Sequence, residues 1–214
     1  MKVVREEILI DASDFGQSKE YAKIHEQILE GVSKVVWPPG TDKFTIFPEK
    51  NASGVKPIKI PFIRHLEGCG WRAEHRFNWD VTSSRPGPLD ATCHVRGGLF
   101  AVEWETGNIS SSHRAINKIV IGIMHGTLVG AALVLPSRDL YNYCTDRIGN
   151  LPELEPYFPL WRAVQCDSGF LVVIAVEHDE VSIDVPPIPK GTDGYGQGTG
   201  DDTLSLFDDH PSSD

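Results

Sequence analysis

The sequence predicts an α/β fold, on three observations. Two apolar runs of strand length, 127–136 (TLVGAALVLP) and 169–178 (GFLVVIAVEH), lack a polar face, as strands buried within a sheet require. Segments of helical periodicity precede and separate them, so helices and strands alternate around an apolar sheet. A strand-turn-strand pattern at 88–105 supplies a hairpin.

Taken in order, Ser18 is placed to cap a helix whose apolar positions Tyr21, Ile24, Ile28, Val32 and Val35 recur at helical spacing and stop before Pro38-Pro39. Short extended pieces are expected at 43–47 and 56–63, punctuated by Pro and Gly. In the hairpin, LDATCHV leads to a turn at Arg96-Gly97-Gly98 and then LFAVEWE. Phe100, Val102 and Trp104 alternate there with Ala101, Glu103 and Glu105, which makes one apolar face and one that ends in two carboxylates. Ser110 to Ser112 offer a helix start, Ile116, Ile119, Val120 and Ile123 form its apolar stripe, and His125-Gly126 ends it. SRDLYNYCTDR reads as a further helix between the two apolar strands. From Gly191 the chain turns to Gly, Asp, Ser and Thr, too polar to pack. The organisation is one domain over 1–194 and an acidic, flexible tail over 195–214.

Length and composition narrow the function classes. At 214 residues with 40% hydrophobic content, the chain can bury one sizeable core. Its net charge of −10 is the wrong sign for coating nucleic acid by bulk charge, so DNA binding would need a local patch. Much of that acidity is in the last 24 residues, which hold six Asp and neither Lys nor Arg. No apolar run is long enough to span a bilayer, and the acids of MKVVREEILID interrupt any signal-type run, so a cytoplasmic protein without a membrane partner is expected. Four scattered cysteines without a CxxC spacing point away from structural zinc and from a disulfide framework.

Asp90 opens the first strand of the hairpin, and Glu103 and Glu105 share one face of the second. Three carboxylates that close repel by about 4 kcal/mol per pair at an effective dielectric near 20. A divalent cation with oxygen ligands, magnesium or manganese, is the simplest compensation. A solvated strand face with screened charges is the alternative, and spacing alone leaves both open.

The segment Glu103-Trp104-Glu105-Thr106-Gly107-Asn108-Ile109-Ser110-Ser111-Ser112-His113-Arg114 closely resembles the catalytic segment of the BamHI group of type II restriction endonucleases. Arg85-Pro86-Gly87-Pro88-Leu89-Asp90 is similar to the stretch holding that family's first metal-binding aspartate. Further matches follow in order at Asn117-Lys118, at residues 143–147, 153–158 and 188–194, and near the N-terminus at Trp37-Pro38 and residues 54–59. The usual metal-nuclease pattern ends in Lys, whereas Glu105 stands here, the departure that marks the BamHI group.

The resemblance implies a central mixed β-sheet flanked by helices, and Mg2+-dependent hydrolysis of double-stranded DNA with Mn2+ as a substitute. It implies that Asp90 and Glu103 hold metal and that Glu105 orients or deprotonates the attacking water. Glu74 looks like the family's additional acidic ligand, with Glu67 and Asp80 as rivals nearby. Asn108, Ser110, Arg114, Asp146, Arg147 and Asp193 stand where the group has base-contacting or neighbouring residues, and their types suit base-edge recognition. The site expected is the palindrome GGATCC, read by a homodimer, with a companion methyltransferase protecting host DNA. Lys59 and His125 match basic positions at or near the family's dimer-forming helix, and His113 is expected to pack or meet phosphate. Competing readings are another metal-dependent nuclease of the same fold, an inactive DNA-binding module, and a two-carboxylate glycosidase.

Overall fold

The computed structural model describes residues 1–76, 87–145 and 147–190. The expected tail, Asp80, Asp146 and Asp193 lie outside the described residues.

The helix expected after Ser18 forms as α1 (Lys19–Ser33), with the Ser18 side chain accepting from the Tyr21 amide as N-cap. Ile24, Ile28 and Val32 are its buried stripe, and Val35 is buried just beyond it. The hairpin forms as β4 (Leu89–Val95) and β5 (Gly98–Trp104), joined at Arg96-Gly97. The two apolar runs become β6 (Leu128–Pro136) and β7 (Phe170–Glu177), buried over almost their whole length. They pair parallel to one another, and β5 pairs parallel to β6.

Two further strands complete the sheet. The N-terminal β1 (Lys2–Asp11) lies antiparallel along β7, and the short β3 (Arg72–His75) lies antiparallel along β4. The strand order is β1-β7-β6-β5-β4-β3, a mixed sheet of six strands. A separate parallel pair joins β2 (Thr45–Ile46) to β8 (Glu180–Val181), so only part of the extended 43–47 segment is strand.

Both sheet faces are covered. One face packs Phe100, Val102, Val172 and Ile174 against Ile24 and Ile28 of α1 and against Phe62 and Leu66 of α2 (Lys59–Gly68). The other packs Ala101, Leu133 and Val173 against Ile116, Ile119 and Ile123 of α3 (Ile109–Met124). Leu154 and Trp161 join that second core from the short helices α5 (Leu151–Leu154) and α6 (Phe158–Arg162), which follow α4 (Arg138–Tyr143). Truncating a fully buried residue such as Ile119 or Leu133 to Ala would cost on the order of 2–5 kcal/mol.

Helix α2 corrects the extended reading of residues 56–63. Pro61 is tolerated there because it stands in the first turn, where amides have no intrahelical acceptor. Phe62 and Leu66, four apart, then turn one face to the core. The helix read as SRDLYNYCTDR is shorter than its pattern, with Ser137 capping through a bond from the Leu140 amide. All four cysteines are free of disulfides, and among the described residues no helix is long and apolar enough to cross a membrane.

Candidate active site

The β4/β5 register pairs Ala91 with Val102, so the next step along both strands sets Asp90 opposite Glu103. Asp90 is fixed from the backbone side, because its Oδ2 accepts from the Trp104 amide at 2.8 Å. Glu103 is 6% exposed, which rules out the solvated-face alternative for this residue. Trp104 on the opposite sheet face packs on Phe62, with ring centroids 4.6 Å apart.

Two lysines converge on these carboxylates. Lys59, the first residue of α2, pairs with Asp90 Oδ1, and Lys118 of α3 pairs with Glu103 Oε1. Lys118 also donates to the Pro88 carbonyl at 2.8 Å. The buried Glu103 Oε1 has the Lys118 ammonium as its partner. Burial, then the nearby Asp90 charge, push the Glu103 carboxyl up to about 7, against the opposing pull of Lys118 and Lys59.

Glu105 lies one residue past the end of β5, where its amide still bonds the Val134 carbonyl at 2.8 Å. Its Oε1 accepts from the Gly107 amide at 2.6 Å. A Cβ at position 107 would lie 2.7 Å from that oxygen, so a side chain there would push the Glu105 carboxylate out of this position. Burial raises the Glu105 pKa, and the Gly107 hydrogen bond works against the rise.

Helix α3 begins immediately afterwards, two residues earlier than the serines suggested, because Asn108 is its N-cap and accepts from the Ser111 amide at 3.0 Å. Ser110 and Arg114 are exposed on its first turns, and Arg114 Nη2 donates to Ser111 Oγ at 2.9 Å. Arg147 is exposed at a positive φ of 78° in the loop before α5. That loop is tied to the α3 start by an antiparallel bridge between Asn108 and Ile148. Asn108, Ser110, Arg114 and Arg147 therefore gather at the edge beside the carboxylates.

Glu74 falls beside Asp90 in the β3/β4 register, between the pairs Ala73–Ala91 and His75–Leu89. It is exposed, with φ at 47°. Among the described residues no group of three or more His, Cys, Asp or Glu side chains comes together as a metal cage. Glu67 is exposed near the end of α2. His113 packs edge-on against Tyr157 at 4.5 Å, in keeping with a packing role.

The two lysines are what sequence reasoning missed. Lys59, matched to a position at or near the family's dimer-forming helix, makes an ion pair with Asp90 within the chain. In the sequence Lys118 stands out only within the matching Asn117-Lys118 dipeptide, and its place among the buried Ile116, Ile119 and Val120 is the signal for a paired lysine.

The donor set fits a small divalent ion. Asp90 and Glu103 offer oxygen only, and each already draws in an ammonium group, so this pair of carboxylates is one that a positive charge compensates.

Residues 1–195 match the family model described as Restriction endonuclease BamHI. The chain belongs to the BamHI restriction endonuclease family. It is 48% identical over 194 residues to the type II restriction enzyme OkrAI of Oceanobacter kriegii, covering 91% of this chain and 98% of that protein. It is 32% identical over 212 residues to the type II restriction enzyme BamHI of Bacillus amyloliquefaciens, covering 92% and 94%. The fold is similar to the crystal structure of restriction endonuclease BglII complexed with a DNA 16-mer, with TM-score 0.53, 8% identity, and 82% and 79% coverage. As a member of the BamHI family the chain is a type II restriction endonuclease, a site-specific deoxyribonuclease. Restriction endonucleases bind double-stranded DNA and in general depend on a divalent metal.

Proposed function

We propose that this enzyme hydrolyses DNA at the palindrome GGATCC with magnesium as its ion, manganese substituting, and acts as a homodimer with one site per subunit. The observation that carries the reading is the pairing of Asp90 with the buried Glu103 across the hairpin, with Glu105 held by Gly107 at its end.

Asp90 and Glu103 would hold the ion, and Glu74, next to Asp90 in the sheet, would join them if its exposed side chain turned inward on DNA binding. Bound there, the ion supplies positive charge to the scissile phosphate and acidifies a water molecule. Glu105 orients that water and takes its proton. Its Oε1 is engaged by Gly107, so Oε2 is the accepting atom, and a carboxyl raised by burial is the stronger base for that step.

Sequence reading falls to Asn108, Ser110, Arg114, Asp146, Arg147 and Asp193. Arg147 and Asp146 suit a G·C pair in the major groove, and Asn108 with Ser110 suits the inner A·T pair. The cap bond occupies one lone pair of Asn108 Oδ1, which leaves its amide NH2 and the second lone pair for a base edge. A palindromic site follows from twofold symmetry, and a companion methyltransferase is the functional partner that protects host DNA. Digesting unmethylated phage DNA with magnesium and sequencing the fragment ends tests the reading. Ends within GGATCC support it, GATC centres with variable flanks reduce it to a relaxed site, and ends sharing no GATC centre overturn it.

A further inference from the structure

The lysines on Asp90 and Glu103 are held in different ways. Lys118 bridges Glu103 and the Pro88 carbonyl, and its side chain is 14% exposed. Lys59 stands at the mouth of the site on the first residue of α2, with its side chain 40% exposed. Asp90 does not need Lys59 to keep its place, because the Trp104 amide anchors the other carboxylate oxygen. A family pattern that elsewhere puts a lysine on the strand has Glu105 here, and among the described residues the lysines paired with Asp90 and Glu103 come from the two helices.

We propose that Lys59 is an exchangeable counter-ion, which occupies Asp90 Oδ1 in the metal-free enzyme and leaves it when a divalent cation binds, while Lys118 stays on Glu103. The inference rests on the reading of Asp90 and Glu103 as metal ligands.

Charge supports the division of roles. A divalent cation on Asp90 Oδ1 would meet the Lys59 ammonium as a like charge at contact distance, and that repulsion favours departure of the more exposed lysine. The displaced Lys59 ammonium is then free for the next anion to arrive, a DNA phosphate. Lys118 is the positioning residue, because releasing it would leave both the Pro88 carbonyl and the buried Glu103 short of a partner.

Calcium supplied as the chloride, titrated calorimetrically into the full-length protein without DNA, tests the proposal. Lys59→Met should bind calcium about fivefold more tightly than the parent, the value of a partly exposed ion pair no longer competing. Lys118→Met should melt at lower temperature without calcium, with Lys118→Arg restoring most of the loss by keeping the charge. Calcium affinity that is unchanged or weaker in Lys59→Met overturns the exchange, and Lys118→Met melting like the parent overturns the anchoring role of Lys118. Asp90→Asn separates the two levels. If it abolishes calcium binding while Lys59→Met changes nothing, the exchange alone fails. If it leaves calcium binding intact, the assignment of Asp90 as a ligand fails with it.

Discussion

The Gly149 amide donates to the Gly107 carbonyl at 2.7 Å, which joins the loop carrying Arg147 to the turn that holds Glu105. A proposed base contact and the proposed proton acceptor thus share one backbone hydrogen bond. A Cβ at position 149 would lie 2.3 Å from Ser112 Oγ and 3.3 Å from Ile109 Cα. Ser112 is fully buried, so it has little room to give way. Gly149→Ala should therefore destabilise the enzyme by about 1–3 kcal/mol. It should also narrow the gap between cleavage of the proposed GGATCC site and of sites altered by one base. Thermal melts and paired cleavage rates check both, and an unchanged melt with unchanged selectivity would refute the coupling.

Glu105→Gln keeps an acceptor oxygen for Gly107 while removing the basic carboxylate. Cleavage should fall by about 10²–10⁴-fold, the usual worth of a positioned acid or base, with specific binding in calcium nearly unchanged. Cleavage near the parent rate would remove Glu105 from the proton-transfer step.

Asp90→Asn preserves an oxygen for the Trp104 amide and deletes one negative charge. It also frees Lys59 from its partner. Without metal, DNA should bind more tightly by ~1 kcal/mol, because carboxylate–phosphate repulsion is relieved. Cleavage in magnesium should be lost. Gel-shift titrations in chelator give the sign, and weaker specific binding would contradict the electrostatic account.

His178 makes stability depend on pH at a distance from the carboxylates. Its ring is buried, stacks edge-on with Tyr143 at 5.4 Å, and has no partner for Nδ1. Burial holds its pKa below the ordinary 6.5, outweighing the upward pull of the nearby Glu177, Asp139 and Asp179, while Lys2 adds to the lowering. The unfolded imidazole therefore takes its proton at higher pH than the folded one. This contribution to stability is full above about pH 6.5 and is lost as pH falls through the folded value. His178→Leu should flatten the fall in melting temperature between about pH 7.5 and 5.5, and an unaltered slope would assign that fall to other groups.

The sequence made the hairpin legible because alternation and a glycine turn are local signals, and the positions of Asp90, Glu103 and Glu105 followed from it. The Ser18 cap and the α1 stripe were legible for the same reason. β1 was not read as a strand, because most of KVVREEILID is exposed along the sheet edge and lacks an apolar signature. α2 was obscured by Pro61, whose position within the first turn is known only once the helix start is known. Asn108 was read as a base contact or a cap, and the cap role is now visible in its bond from Ser111. The lysine pairs were hidden for a different reason: contacts such as Lys59–Asp90 and Lys118–Glu103 join residues far apart in sequence, and no periodicity encodes them.

Helix α3 acts as a ruler. Its sixteen residues span about 24 Å at 1.5 Å per residue. Arg114, Lys118 and Ile121 follow one another at spacings of four and three, so they run along one side of the rod. The helix end proposed to read bases, the carboxylate partner and the exposed Ile121 and Met124 at the far end are thereby locked in rotational phase. One residue inserted between Arg114 and Lys118 would turn the two halves by about 100° relative to each other. Every side chain on the helix would then be kept while its two halves lost their common alignment, so the residue count between Arg114 and Lys118 fixes the phase between the helix start and the carboxylate partner.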